Sequence, residues 1–589
     1  MKFIKHIGLG LFVSALLTFI ALVFISQYEI TDQNLAKWSE SFDEKNKSYL
    51  VESLSELKGQ HFGNKFSYFS ALKGAFNKAN EAINNDFGVD PASLSAAAEA
   101  ALSQTGSGPI TFSEELHTAA KEALPEGLHK TISDYTSWMI GREYADGEAL
   151  KSAISEQFGV AANAYVSSLQ VGNSKEYVFQ AAKLTAKGVY WNNKYAFFFF
   201  IIVLGAIGAL MYIYPAFFDG MPGIKHNGIY FSSAHNRGLI GILTGIFLVG
   251  FYILLYFYHQ YIAEWITLMD PVAYALRGEA ASQWFMYGFL YTVAILVMGV
   301  RMFAKYRHSN YHKLRTASIM FFQLAFAFII PQILFQLNLP DDDLKNAWPL
   351  NYYFFFDWSI EKHIAAGTIG VFMLVWGIVL TVIGVPLLTY FFGKRWYCSW
   401  VCGCGGLAET LGDPYRQLSD KSLKAWNIER YLIHGVLVFA VGMTGLVLYT
   451  YFSGASSIGF VNSFKVREVY GFAIGSVFAG VVGTGFYPFM GNRVWCRFGC
   501  PLAAYLGLVQ RFKSRFRITT NGGQCISCGN CSTYCEMGID VRWYAQRGQN
   551  IVRSSCVGCG VCAAVCPRGV LALENGPNTD GSRMNEVKY

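Results

Sequence analysis

No cysteine occurs before Cys398 in this chain of 589 residues; all thirteen lie between Cys398 and Cys566. The polar segment 26–194 therefore carries no thiol, and it holds neither a CxxCH haem-attachment motif nor a glycine-rich nucleotide loop. It reads as an interaction or spacer domain. Charged residues are also few, 15% of the chain against 53% hydrophobic. The formal net charge of +7 is not a nucleic-acid signal, because the basic residues gather beside apolar runs, as in membrane proteins. No histidine lies in the middle of an apolar run: His259, His363 and His434 stand near run ends. Bis-histidine haem b needs ligands inside facing spans, so the chain gives it no support; His363 and Glu361 remain a weak pointer to a quinone site.

What the chain has in excess is apolar length. Crossing a bilayer takes about 20 predominantly apolar residues. Eight runs qualify: 4–25, 195–214, 238–258, 284–303, 316–337, 364–392, 431–451 and 470–490. The first is long for a signal-peptide core and no A-x-A site follows it, so it reads as an uncleaved anchor. Arg301, Lys305, Arg307, Lys313 and Arg315 flank the turn between the fourth and fifth runs. Lys394, Arg395, Arg416, Lys421, Lys424 and Arg430 lie between the sixth and seventh. The alternate loops are acidic, with Glu264, Asp270 and Glu279 after the third run and Asp341, Asp342 and Asp343 after the fifth. With Lys2 and Lys5 at the start, the positive-inside rule puts the N-terminus in the cytoplasm, and eight crossings return the C-terminus there. One short loop, with Lys465, Arg467 and Glu468, stands outside the alternation. All the cysteines then map to the reducing side, where free thiols and metal sites persist.

Segment 26–194 has helical periodicity in 34–58 and 149–169. Residues 29–194 hold 21 Asp and Glu against 15 Lys and Arg, so the segment is mildly acidic. Gly88, Gly106, Gly108 and Pro109 mark loops within it.

Eight of the cysteines form two runs, Cys525-x2-Cys528-x2-Cys531-x3-Cys535 and Cys556-x2-Cys559-x2-Cys562-x3-Cys566-Pro567. This is the spacing of a protein with two [4Fe–4S] clusters, in which the fourth cysteine of each run ligates the other run's cluster. Cys525, Cys528, Cys531 and Cys566 would bind one; Cys556, Cys559, Cys562 and Cys535 the other. Paired CxxC can also bind zinc, but two complete runs are far more specific than one pair. Glu536 stands where the first run would carry its proline, outside the ligand set, where it tunes local charge.

The sixth and eighth spans end alike, in Lys394-Arg395-Trp396-Tyr397-Cys398-Ser399-Trp400-Val401-Cys402-Gly403 and Asn492-Arg493-Val494-Trp495-Cys496-Arg497-Phe498-Gly499-Cys500-Pro501. Cys-x3-Cys puts two thiols at i and i+4, on one face of a helix. Two such faces meeting would offer four thiolates, Cys398, Cys402, Cys496 and Cys500, as a third iron–sulfur site, with the flanking arginines offsetting its negative charge. Buried thiols, a redox dithiol, and zinc or copper are the competing readings; Cys404 is a spare or alternative ligand.

Spans ending in Cys-x3-Cys and followed directly by a twin-cluster run resemble the membrane polyferredoxins of the NosR/NapH type. The resemblance covers roughly 364–575 and is carried best from Arg493-Val494-Trp495-Cys496 through Gly507-Leu508-Val509 to Cys566-Pro567. It implies membrane electron transfer serving a respiratory or maturation partner. The first repeat departs from it, with Cys402-Gly403-Cys404 where the family has Cys-Pro. The outer segment lacks the Ser/Thr-Gly-Ala-Thr type of sequence that carries covalent flavin in NosR, and the polar stretch 574–589 that follows the second run sets the expectation apart from the copper-site assembly factors of cytochrome oxidase, which usually add an immunoglobulin-like tail.

The expectation is a mainly α membrane protein of about eight transmembrane helices, with an extracytoplasmic helical domain and a C-terminal twin [4Fe–4S] ferredoxin-like domain. Its parts are an anchor (1–26), the extracytoplasmic domain (27–194), helices two to five (195–337), helices six to eight with the repeated Cys-x3-Cys motifs (338–510), the ferredoxin domain (511–575) and a flexible tail (576–589). It would pass electrons between a cytoplasmic donor or acceptor, the membrane quinone and an extracytoplasmic or membrane partner protein, from the bacterial inner membrane. The alternatives are a redox-dependent maturation or regulatory factor, or an accessory subunit of an envelope complex. The pattern suits an oxidoreductase subunit and points to no catalytic residue.

Overall fold

The computed structural model describes residues 1–103, 108–171, 174–218, 237–454, 457–459 and 461–576. Eight of its helices are long and apolar enough to cross a membrane: Lys2–Phe24, Lys194–Phe217, Leu239–Phe257, Gln283–Lys305, Asn310–Gln336, Gly367–Phe392, Leu423–Ser453 and Ser463–Gly485. Each falls on one of the eight apolar runs. In lipid every backbone group needs a partner within the protein, and a helix meets that need within a single segment. Two helices start well before their apolar runs because polar residues cap them. Ser422 accepts the Ala425 N–H, so the seventh begins at Leu423. That places His434 inside the helix rather than at its end, where its Nδ1 meets the Arg430 carbonyl at 2.6 Å. Asn462 accepts from Phe464 and Lys465, so the eighth begins at Ser463. The charged loop that stood outside the alternation is thereby helical, and its charges are paired: Arg467 with Asp357 at 2.7 Å and Lys465 with Glu468 at 2.8 Å.

The chain divides into two units. The smaller comprises Ala21–Lys194 with His259–Glu264. It is mostly helical, and its two longest helices, Lys65–Phe87 and Gly147–Leu169, are capped by Asn64 and Asp146. Gly88 follows the first of them; Gly106 lies outside the described residues. A three-stranded antiparallel sheet sets Gln27–Glu29 between His61–Phe62 and Ala186–Lys187. Part of its core is a cluster around Phe112, Leu128, Ile132, Leu150, Ile154 and Phe158. The unit also buries a charge pair. Lys65 Nζ meets Glu264 Oε2 at 2.6 Å, with the two side chains 4% and 0% exposed, and Tyr28 donates to Glu264 Oε1 at 2.9 Å.

The larger unit holds six of the eight long helices whole, nearly all of Lys2–Phe24 and Lys194–Phe217, and the cysteine-rich C-terminal region. There, strand Phe516–Thr520 pairs antiparallel with Leu571–Asn575, in register from Phe516 opposite Asn575 to Thr520 opposite Leu571. This ribbon closes a loop that contains both four-cysteine runs. Ile518 also bridges to Ile551. The tail expected at 576–589 lies outside the described residues beyond Gly576.

Candidate iron–sulfur centres

The two four-cysteine runs fold as a repeat. Ser527 and Gly558, at equivalent positions, have φ of 62° and 61°; Gly529 and Gly560 have 80° and 81°; Gly538 and Gly569 have 66° and 64°. Short helices follow, Asn530–Thr533 and Val561–Ala564, with Cys531 and Cys562 in their first turns. The left-handed residues turn the backbone tightly around a concavity and leave its N–H groups able to face an anion. One cavity is lined by Cys525, Cys528, Cys531 and Cys566. A second is lined by Cys535, Cys556, Cys559 and Cys562. Each cavity thus takes three cysteines from one run and the last cysteine of the other. Among the described residues no three Cys, His, Asp or Glu side chains converge as the ligands of one metal ion would. Four soft thiolates around a cavity suit a larger iron–sulfur group.

The two cavities differ in their surroundings. Around the second, four successive carbonyls are each held by a side chain from the helical part of the unit. Gln510 donates to Cys556 O at 2.8 Å, Ser399 to Val557 O at 2.6 Å, Tyr311 to Gly558 O at 2.8 Å, and Arg315 to Cys559 O. A Cβ on Gly560 would come 2.8 Å from the Tyr311 ring, so the approach is close enough to require glycine. The first run has no such grip; Ile526 and Cys528 are exposed.

Cys398, Cys402, Cys496 and Cys500 are buried and gathered in one place. Cys496, Cys398 and Cys402 each act electrostatically on Cys500, and Cys402 and Cys496 on Cys398. The pairs do not lie on one helical face as their spacing suggested. Cys398 ends the short helix Arg395–Cys398, and Cys402 caps the next, Gly403–Thr410. Cys496 sits in the turn Trp495–Gly499, and Cys500 caps Pro501–Lys513. The repeat is nonetheless exact in its hydrogen bonding: Cys402 N reaches Tyr397 O at 2.8 Å and Cys500 N reaches Trp495 O at 2.9 Å, both five residues back. The break sets the second cysteine of each pair at a helix N-terminus, where the helix dipole favours negative charge. Cys500 Sγ accepts the Ala503 N–H at 3.4 Å.

Burial pushes the Cys398 thiol up to about 12, with nearby Lys394 opposing, and also raises Cys496 and Cys500. Hydrogen bonding from Cys404 holds Cys402 below an ordinary thiol, so Cys404 stands at the site. Of the flanking arginines only Arg493 serves it, donating to Cys398 O at 3.1 Å with the same Nη1 3.8 Å from Cys496 Sγ. Arg395 turns away to lie over the Phe516 ring, 4.7 Å from its centroid. Its neighbour Lys394 takes that place: 1% exposed, it donates to Ser554 O at 3.2 Å and has no carboxylate partner among the described residues.

A buried ion network joins the two regions, and the sequence reading missed it. Glu536 Oε1 lies 3.0 Å from Arg493 and Oε2 3.2 Å from Arg416. Arg416 also meets Glu409 at 2.9 Å and Asp413 at 3.3 Å. Arg315 pairs with Glu409, Lys305 meets Asp413 at 2.7 Å, and Arg301 meets Asp413 at 3.1 Å. With Lys394 counted, five buried cations (Lys305, Arg315, Lys394, Arg416 and Arg493) face three carboxylates. Burial opposes ionisation of Glu536, but Arg493 and Arg416 overcome it and hold its carboxyl down at about 2. An excess of buried positive charge is costly unless an anion stands beside it.

Comparison with known proteins gives the same picture. Residues 511–571 match the family described as 4Fe-4S dicluster domain, and residues 371–422 and 471–519 match the family described as 4Fe-4S binding domain. YccM of Escherichia coli (strain K12), named for electron transport, is 27% identical over 156 residues, covering 25% of this chain and 43% of its own. The methylamine utilization ferredoxin-type protein MauN of Paracoccus denitrificans (strain Pd 1222) is 28% identical over 164 residues, 26% of this chain and 53% of its own. MauN of Methylorubrum extorquens is 26% identical over 171 residues, with the same coverage. The chain spans about half the length of the curated relatives it matches. No solved structure matches. With eight apolar helices and two kinds of 4Fe-4S domain, the chain is a multi-pass membrane iron–sulfur protein.

Proposed function

We propose that the chain is an electron conduit of the NosR/NapH polyferredoxin type, without the flavin domain, seated in the bacterial inner membrane with both termini and the ferredoxin domain cytoplasmic and residues 27–194 extracytoplasmic. Iron–sulfur electron transfer is supported by the domain matches and by relatives named for electron transport. Cys525, Cys528, Cys531 and Cys566 would hold one [4Fe–4S] cluster, and Cys556, Cys559, Cys562 and Cys535 the other. Cys398, Cys402, Cys496 and Cys500 would hold a third. Such a cluster supplies a one-electron carrier whose potential answers to nearby charge and hydrogen bonds.

The observation that carries this reading is the difference between the two ferredoxin cavities. One opens to solvent at Cys528; the other is gripped along four consecutive carbonyls and joined through Glu536 and Arg493 to the buried cysteines. A site for exchange with a soluble donor or acceptor and a site for exchange with the membrane need opposite surroundings, and the chain has both. The positive excess supports a third cluster, since Arg493 and Lys394 would balance its charge. Quinone and a partner protein are the proposed membrane-side acceptors or donors. Iron and acid-labile sulfide, counted on anaerobically purified protein, should exceed eight per chain and fall to about eight in Cys398→Ala/Cys496→Ala. About eight in both would leave two clusters and remove the third.

A further inference from the structure

This inference rests on the conduit reading and names the chemistry of its soluble partner. The solvent-open cavity has a one-signed rim. Among the described residues its charged lining is Arg542 and Arg568, with no carboxylate. Both are exposed, and neither has an ion-pair partner among the described residues. A Cβ on Gly529 would come 3.9 Å from Arg542 Nη1, so this guanidinium stands beside the cysteine loop. Arg542 belongs to the short helix Val541–Gln546, which is tied to that loop by Gln546 donating to Ser527. The same helix presents Trp543, 43% exposed, and Arg547 stacks on it with Cζ 3.9 Å from the ring centroid. Across the cysteine loop, Ile526 is 55% exposed. Three exposed guanidiniums and two exposed apolar side chains therefore stand around the cysteine nearest solvent.

Brief redox encounters use small interfaces and long-range charge attraction, which sets the association rate and its sensitivity to salt. We propose that the face around Cys528 is the docking surface for an acidic one-electron carrier protein. Arg542, Arg547 and Arg568 attract its carboxylates, while Ile526 and Trp543 form the apolar centre of the contact. The reduced carrier would be oxidised by one electron and the [4Fe–4S] cluster that Cys525, Cys528, Cys531 and Cys566 would hold would be reduced by one; no bond forms or breaks and no proton has to move.

The test uses the full-length, iron-loaded protein in detergent. Reduction is followed by bleaching of the iron–sulfur absorption with two reductants: a reduced, acidic [2Fe–2S] ferredoxin, and a small photoreduced deazaflavin. The wild-type rate with ferredoxin should fall steeply as ionic strength rises. Arg542→Gln/Arg547→Gln/Arg568→Gln should lower that rate at least tenfold at low salt and flatten its salt dependence. In Arg547→Gln alone, whose side chain is outside the cavity lining, the ferredoxin rate should fall several-fold while iron content and the deazaflavin rate stay those of the wild type. An unchanged ferredoxin rate in the variant overturns the docking surface. So does an equal loss with both reductants, which would mean that the arginines serve the bound cluster alone. If the triple variant loses iron, Arg547→Gln carries the comparison by itself. A wild type that bleaches with neither reductant refutes the conduit reading itself.

Discussion

Glu536 occupies the position where the second run carries Pro567, and from the sequence it was a tolerated departure outside the ligand set. In the fold it is fully buried and holds Arg493 and Arg416 together. Removing one partner from a buried charge network leaves uncompensated charge and costs about 3–5 kcal/mol. Glu536→Gln should therefore lower the thermal unfolding temperature markedly, and Glu536→Asp should recover part of it. The variant should also raise the reduction potential of the cluster at Cys556, Cys559 and Cys562 more than that of its twin, because a negative charge is lost beside one site only; redox titration followed by electron paramagnetic resonance separates the two. At Gly560, a left-handed φ of 81° and the approach of Tyr311 both demand a missing side chain. Gly560→Val should remove about half of the ferredoxin iron, since each of the two sites would hold four irons. The cysteines were legible because their chemistry depends on spacing. Glu409, Asp413 and Arg416 were not, since their partners lie up to 120 residues away and no local pattern encodes such a contact.

At the scale of elements, apolar length located all eight long helices, while caps decided where two of them begin. Ser422 and Asn462 are ordinary polar residues until a helix forms behind them. The Cys-x3-Cys pairs show the converse: spacing suggested one continuous helix, but Gly403 and Pro501 start new ones, and the break is what brings helix dipoles to bear on the thiols. The helix Asp357–Ala365 gives a pH test. His363 is fully buried, 3.1 Å from Asp342, and this carboxylate raises its pKa above the ordinary histidine value. The resulting stabilisation is complete below the pKa of an unfolded histidine and is lost as pH rises through the raised value. Thermal unfolding between pH 6 and 9 should show that loss in the wild type and not in His363→Gln. In the smaller unit, Glu264→Gln should cost about 3–5 kcal/mol by leaving Lys65 charged and unpaired in the interior, read as a lowered unfolding temperature with iron content unchanged.

For the whole molecule, the proposed orientation has a direct check. A protease site placed after Asn575 should be cut in inside-out vesicles and protected in right-side-out ones, and a site in the loop near Gly88 should behave oppositely. The reverse pattern would put the ferredoxin domain outside the cytoplasm and end the conduit reading. The buried positive excess has a consequence for how the protein matures. While the four buried cysteines are empty, burial keeps most of their thiols protonated, so the buried cations would have only the three carboxylates Glu409, Asp413 and Glu536 to balance them. Insertion of the proposed third cluster would release those protons and supply the missing negative charge at the same moment. On the proposed reading the closed arrangement would gain stability on loading, and a newly made chain still waiting for iron should be cut faster at this seam by added protease than the loaded one.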